Sequence, residues 1–228
     1  TTRSLIEAVD VFDGLHDKEK RTAVTLNIPI PIHGNIVPIH RIARWGTIED
    51  LAKMFPFVDD VNIREGLFGD TILTVALVCD NSTKVEYILN RGVDVNATTT
   101  MGDTPSHIAA LNSFEKSFEV LLKWNPNLDA VTEHLGNPMS VHDMIAVSSK
   151  NVRRSAVRHL LRTQSLSPII LGKYLFPLIA KRDYNEIQYI FSMGVAPELD
   201  ASSYAKASAY ISAMRIRLDN FPSYNIDD

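Results

Sequence analysis

Cysteine and long apolar runs are nearly missing from this sequence. Its 228 residues include a single cysteine, Cys79, which excludes a disulfide framework and a cysteine-based zinc site and is typical of a reducing compartment. Prolines and basic residues interrupt the apolar stretches before any of them reaches the roughly 18 residues that a membrane span needs. We therefore expect an intracellular protein, cytoplasmic or nuclear, with no membrane-embedded segment.

Charge of neither sign dominates, and the common catalytic motifs are missing as well. The 23 Lys and Arg residues are nearly balanced by 27 Asp and Glu residues, for a net charge of −4. The sequence has no glycine-rich phosphate loop, no nucleophile elbow and no HExxH zinc motif. These absences predict a chain that is not an enzyme and uses no metal or cofactor. Because the chain begins at Thr1 and not at Met, we expect it to be part of a longer protein.

What the sequence does contain is a repeat with a period of about 33 residues. Residues 69–76, GDTILTVA, recur as residues 102–109, GDTPSHIA, and a related PIHRIA occupies residues 38–43. A second landmark keeps the same spacing, with DVN at residues 60–62, DVNA at 94–97 and NLDA at 127–130. Short amphipathic segments between the landmarks are typical of paired helices. The period therefore predicts an array of stacked helix pairs.

These motifs resemble the ankyrin repeat, whose pattern is Gly-x-Thr-Pro-Leu-His-x-Ala-Ala, a second helix, and then Gly-Ala-Asp-Val-Asn-Ala. The resemblance implies an all-α solenoid of helix-turn-helix units. We place five repeats at residues 34–66, 67–99, 100–133, 134–167 and 168–200. The fourth repeat diverges from the pattern, so longer helices or an irregular turn are expected there. The resemblance also implies that His40 and His107 are buried structural residues, hydrogen-bonded to turn backbone.

The two ends of the chain differ from the repeats. Residues 1–33 are predicted to form a short helix and an extended arm, because aliphatic residues alternate with polar residues and prolines from Val24 to Ile32. We expect this arm to cap the first repeat; binding a partner, or pairing with its copy in a homo-oligomer, are the alternatives. Residues 201–228 are predicted to form a C-terminal capping helix and tail, since a solenoid needs a polar face at its end.

The resemblance implies a protein-binding adaptor or inhibitor, and the repeat register indicates which residues line its concave face. Those positions are apolar in the second and third repeats, where a solvated face would be charged. With an aromatic anchor at a turn tip, Phe68, the candidate partner-binding residues are Arg41, Arg44, Trp45, Val75, Val78, Cys79, Ile108, Leu111, Asn112, Lys181 and Arg182, with Leu178 in the same register. The alternative is that the N-terminal arm or a shifted register buries these residues within the chain.

A basic stretch supplies a second candidate surface. Residues 147–182 contain eight Lys and Arg residues and no Asp or Glu, which favours an acidic protein partner or a solvated helix face. The alternative function is polyanion or nucleic-acid binding by Lys150, Arg153, Arg154, Arg158 and Arg162, although no nucleic-acid motif accompanies them. A further alternative is a non-catalytic part of a larger enzyme or effector, because divergent repeats are similar to those that viruses and intracellular bacteria direct at host proteins.

Overall fold

The structure, a computed structural model, describes residues 38–134 and 137–193 together with Gly14, His16 and Lys20. The helices in these ranges are α1 Pro38–Trp45, α2 Ile48–Met54, α3 Ile72–Leu77, α4 Ser82–Leu89, α5 Pro105–Leu111, α6 Glu115–Lys123, α7 Val141–Val147, α8 Lys150–Arg162, α9 Pro168–Lys181 and α10 Tyr184–Ser192. A 3₁₀ turn, Phe55–Phe57, follows α2. Apart from the three single positions, the predicted arm at residues 1–33 lies outside the described residues, as does the predicted cap at 201–228.

The chain divides into two compact units, one that ends at Val141 and one that begins at His142. The first unit holds the helix pairs α1–α2, α3–α4 and α5–α6, and the second holds α7–α8 and α9–α10. Two antiparallel hairpins, which the all-α expectation did not include, also lie in the first unit. Their strands are β1 Arg64–Glu65, β2 Asp70–Thr71, β3 Val131–His134 and β4 Asn137–Ser140.

Threonine side chains mark where helices of the first unit begin. Thr47, Thr71 and Thr104 each accept a hydrogen bond from the backbone amide three residues later, and the side chain at that later position bonds back to the cap. In α5, Pro105 follows its cap at the first helical position, where a missing N–H costs no hydrogen bond. The Thr-Pro pair of the repeat pattern therefore marks a helix start.

The three first helices, α1, α3 and α5, lie side by side, and each of α4 and α6 contacts the other and the first helix of its own repeat. Fully buried alanines, Ala43, Ala76 and Ala109, let neighbouring backbones approach closely. Larger side chains such as Leu77 and Phe118 fill the space between the helix layers. Each repeat therefore completes its core against the next one, which is the packing that a repeat array requires.

Hydrogen bonds between the turns connect successive repeats. The backbone amide of Asp94 donates to Oδ1 of Asn62 at 2.8 Å, and one repeat later the amide of Asn127 donates to Oδ1 of Asn96 at 2.8 Å. The second landmark of the sequence thus supplies backbone amides in the turn of one repeat with acceptors from the preceding repeat. The regular spacing of this landmark follows from these hydrogen bonds between successive repeats.

Two side chains cap helices that belong to a neighbouring repeat. Helix α6 has no side-chain cap of its own, and Oδ1 of Asp80 accepts a hydrogen bond from the amide of Ser117 in its first turn at 2.9 Å. At the end of α1, Nζ of the buried Lys84 donates to the carbonyl of Gly46 at 2.7 Å. Burial lowers the pKa of this ammonium group. Both contacts stabilise one repeat against its neighbour.

The second unit has longer helices than the first. Helices α8 and α9 contain 13 and 14 residues, whereas helices of the first unit contain six to nine. The length of α8 agrees with the longer helices expected in the fourth repeat. Between α9 and α10 lies a core of Leu171, Leu175, Leu178, Ile187 and Ile190. Leu178 is therefore buried, which corrects the expectation that it faces a groove.

Candidate functional site

The ends of the three first helices carry exposed hydrophobic side chains at related repeat positions. Trp45 at the end of α1 is 53% exposed, Val78 at the end of α3 is 46% exposed and Leu111 at the end of α5 is 44% exposed. Polar or small neighbours complete this area. We call it the helix-end surface, and it consists of Arg44, Trp45, Val78, Cys79, Leu111 and Asn112.

The repeat register predicted that this surface extends further along the helices than it does in the structure. Val75, one turn before Val78, is only 7% exposed, and this is a correction of its placement on the open face. Its burial has a simple cause: α3 is flanked on both sides by α1 and α5, and all six residues of α3 are buried. The equivalent residues on the outer helices, Arg41 and Ile108, are half-buried. Only residues at the very end of each helix, or just after it, therefore remain open.

The residues at the α1 end of the helix-end surface are held in place by several contacts. The Arg44 guanidinium lies over the Trp45 ring, with its Cζ 4.9 Å from the ring centroid, in a cation–π arrangement. From the next repeat, the thiol of Cys79 donates to the carbonyl of Arg44 at 2.8 Å. Cys79 itself is exposed. A cation, an indole and an apolar patch are thus presented side by side on a fixed backbone.

The turn between β1 and β2 presents a second pair of exposed hydrophobic side chains. Leu67 is 92% exposed and Phe68 is 63% exposed. Glycines in the left-handed region, Gly66 at φ +68° and Gly69 at φ +61°, make the tight turn possible. The amide of Thr100 donates to the Phe68 carbonyl at 2.8 Å, which attaches the tip to the next repeat. Phe68 was predicted as an anchor; its more exposed neighbour Leu67 was not selected, although both stand in the same bare sequence pair.

The two histidines at the repeat position are buried in the first unit. Nε2 of His40 lies 3.1 Å from the carbonyls of Ile63 and of Asp70, so it donates toward the two sides of the β1–β2 hairpin base. Burial lowers the pKa of His40 to about 4, although those backbone hydrogen bonds oppose the shift. Nδ1 of His107 accepts from the amide of Thr104 at 3.1 Å. Burial also lowers the pKa of His107. Both imidazoles therefore have structural roles, as the resemblance implied.

In the second unit, the predicted basic patch is smaller than the sequence suggested. Lys150, Arg158 and Arg162 are exposed along α8. Arg153, in contrast, is 4% exposed, and its guanidinium donates to the carbonyl of Ser148 at 3.2 Å. Burial lowers the pKa of Arg153, although it stays a strong base. Its side chain faces inward because it lies one turn from the buried Val157 on the helix, and this corrects its assignment to a surface patch.

The charge of Arg154 is neutralised by a partner that sequence inspection missed. Its Nε lies 2.9 Å from both carboxylate oxygens of Glu186, and a terminal nitrogen lies 2.6 Å from Oε2. This hydrogen bonding raises the pKa of Arg154. The same guanidinium stacks on Tyr189, whose hydroxyl accepts from Arg158 at 2.8 Å. Glu186 lies on α10, beyond the acid-free stretch 147–182, so only packing of α10 against α8 brings the ion pair together.

The remaining candidates, Lys181 and Arg182, are exposed at the end of α9 in the second unit. Arg182 adopts φ 58° and so ends the helix in the left-handed region. Within residues 38–134 and 137–193, no group of three or more His, Cys, Asp or Glu side chains could hold a metal ion. In the same part of the chain, no helix is long and apolar enough to cross a membrane.

A comparison with protein-family models agrees with the repeats of the first unit. A family model described as ankyrin repeats (3 copies) matches residues 39–132. Among solved structures, the chain is similar to the ankyrin repeat domain of Bcl-3, described as a unique member of the IkappaB protein family. That match has a TM-score of 0.48 and 16% sequence identity, and it covers 53% of this chain and 51% of that chain, about half of either length. No curated protein sequence matches the chain.

Proposed function

Because this chain is an ankyrin-repeat protein, with its repeats recognised at residues 39–132, we propose that it binds a protein partner through the helix-end surface of its first unit. Ankyrin repeats are in general protein–protein interaction modules, and the six residues of this surface are among those that the repeat register predicts for the concave face. Acting as an adaptor that recruits the partner, or as an inhibitor that blocks it, would use the same contact.

One observation carries the proposal: large hydrophobic side chains recur at the open ends of three adjacent helices. Val78 and Leu111 are 46% and 44% exposed in equivalent repeat positions, and Trp45 is 53% exposed beside them. At such a position, a side chain that only faces solvent is expected to be charged or polar, because exposing apolar surface to water is unfavourable. Trp and Arg are the side chains most enriched among residues that dominate binding energy. The helix-end surface has both at one end.

The predicted basic patch on α8 gives weaker support to the alternative function, polyanion binding. Of the five residues in the predicted basic patch, Arg153 is buried and Arg154 is paired with Glu186. A polyanion site needs several accessible cations whose charge is not already compensated within the fold. The surface in the first unit is therefore the stronger candidate.

We would test the proposal with Val78→Asp and a matched control, Thr83→Asp. Both variants add one carboxylate at an exposed position of the second repeat, but Thr83 lies on α4 and outside the helix-end surface. An exposed substitution of this kind changes stability by about 0.5 kcal/mol or less, so both variants should melt near the wild-type temperature. A carboxylate that is buried in an interface without a partner makes the free energy of binding less favourable by several times that amount. The expected result is at least about tenfold weaker binding.

The measurement is affinity purification from cell extract with quantitative mass spectrometry, followed by a binding titration with each recovered protein. The proposal predicts proteins that wild type and Thr83→Asp retain equally and that Val78→Asp loses. If every recovered protein binds all three forms equally, the helix-end surface is not the binding site. Loss of folding in Val78→Asp alone would show that Val78 is a core residue and would equally remove the proposal.

A further inference from the structure

We propose that the partner presents an acidic and apolar chain segment, in which a carboxylate pairs with Arg44 while two large apolar side chains cover Val78 and Leu111. This inference rests on the proposed function and names the chemistry of the partner.

The charge distribution of the helix-end surface is the first reason. Its six residues include one arginine and no carboxylate, in a chain whose acidic residues outnumber its basic ones. Asp80 directly follows Cys79 and keeps its negative charge, but it is half-buried and its Oδ1 is directed to α6, where it accepts the hydrogen bond from the amide of Ser117. The six residues of the helix-end surface thus carry their single charge, the Arg44 guanidinium, at the α1 end and are uncharged toward α5.

Desolvation is the second reason. Arg44 and Val78 occupy equivalent positions on adjacent helices, and Cys79 beside Val78 contacts the Arg44 carbonyl at 2.8 Å. A partner that covers both Val78 and Trp45 therefore also removes water from the Arg44 guanidinium, which lies over the Trp45 ring. Removing water from a guanidinium that gains no partner raises the free energy strongly. A carboxylate on the partner would replace the lost hydrogen bonds in a bidentate arrangement. Stacking on Trp45 holds the guanidinium plane ready for that contact.

The helix spacing also predicts the pattern of the bound segment. Adjacent packed helices lie roughly 8–10 Å apart, which is the expected separation between Val78 and Leu111. A helix covers that distance in about seven residues, and residues seven apart share one helix face. In an extended chain the residues on one face are about two or four positions apart, which brackets the same distance. We therefore expect two large apolar residues two, four or seven positions apart, with Asp or Glu on the side that reaches Arg44.

The experiment is selection of a phage-displayed random 16-residue peptide library on the wild-type chain. Selected peptides are then titrated against Arg44→Glu, Arg44→Gln and the control Lys116→Glu, which reverses an exposed charge on α6. We expect peptides with the stated pattern, at least tenfold weaker binding to Arg44→Glu, a smaller loss for Arg44→Gln and no change for Lys116→Glu. Replacing the peptide carboxylate with Lys should restore binding to Arg44→Glu. Circular dichroism establishes that each variant is folded.

Cys79 allows the bound position to be checked directly, because it is the single cysteine of the chain and is exposed. A bound peptide should slow maleimide labelling of Cys79 at least fivefold. Neutral or basic peptides that protect Cys79, or acidic ones that bind Arg44→Glu as well as wild type, would overturn this inference and leave the proposed function standing. Failure to select any peptide, or selection of peptides that leave Cys79 unprotected, would also overturn the inference. The proposed function would then be decided by the comparison of Val78→Asp with Thr83→Asp in binding whole proteins.

Discussion

His40 should make the first unit sensitive to mild acid. Its imidazole is 1% exposed, and Nε2 donates toward the carbonyls of Ile63 and Asp70 at the base of the β1–β2 hairpin. Burial lowers its pKa from 6.5 to about 4. Above pH 6.5 the residue is neutral in the folded and the unfolded chain alike, so it adds no pH dependence there. As the pH falls below 6.5, the unfolded chain takes up a proton that the folded chain resists, and stability is lost.

The size of this loss follows from the two pKa values. A pKa of about 4 against 6.5 corresponds, at about 1.4 kcal/mol per pH unit, to a total of about 3 kcal/mol once the pH is below 4. Between pH 7.5 and pH 5 the loss should be about 2 kcal/mol. Oε2 of Glu65 lies 3.3 Å from Nδ1 and would favour the charged imidazole, so Glu65→Gln should make the loss larger.

The assay is urea unfolding at pH 7.5 and at pH 5, with wild type compared to His40→Gln. The only two tryptophans of the chain, Trp45 and Trp124, both lie in the first unit, so their fluorescence reports the unit that contains His40. The non-titrating variant should lose about 2 kcal/mol less between the two pH values than wild type does. Contributions from His107 and other buried groups cancel in this comparison. An equal loss in both proteins would refute the reasoning that burial of His40 makes this unit acid-sensitive.

Two further predictions concern contacts between helices. Asp80→Ala should destabilise the chain by about 1 kcal/mol or more, because the first turn of α6 loses the acceptor that Asp80 supplies and alanine is strained at φ 42°. Asp80→Asn should lose clearly less, since an amide oxygen still accepts and asparagine tolerates this φ; equal urea midpoints for the two variants would contradict this. Arg154→Ala should lower the melting temperature of the second unit more than Glu186→Ala, because Glu186 is 2% exposed and would be left as a buried charge while the 26% exposed Arg154 can reach water. The reverse order in calorimetry would show that the pair is not controlled by burial of the carboxylate.

Much of the fold is readable from local sequence patterns. The period near 33, the Thr caps at Thr71 and Thr104, and the apolar spacing within helices all depend on residues that lie a few positions apart. The same is true of the repeat histidines, because their position within the motif places them next to the turn. Local rules of this kind hold wherever the motif occurs; they predicted the helix pairs, and the resemblance to the ankyrin repeat implied the burial of His40 and His107.

The candidate site was only partly predictable. Register indicates the helix turn on which a residue lies, but it does not show that Val75, within α3, is buried between α1 and α5 while Val78, just after the helix, is open. The partner of Arg154 comes from α10, 32 residues away, and no local pattern identifies it. The β1–β2 hairpin likewise depends on a tip that accepts hydrogen bonds from Thr100 of the following repeat.

The sequence by itself thus determines the type of repeat, the helix starts and the general class of interaction module. These features depend on residues that lie close together along the chain. Which hydrophobic side chains stay in water, and which cations keep their charge available, depends on what packs against them from distant segments. Those contacts form only when the repeats stack, because the free energy of burying a side chain is set by all its neighbours together.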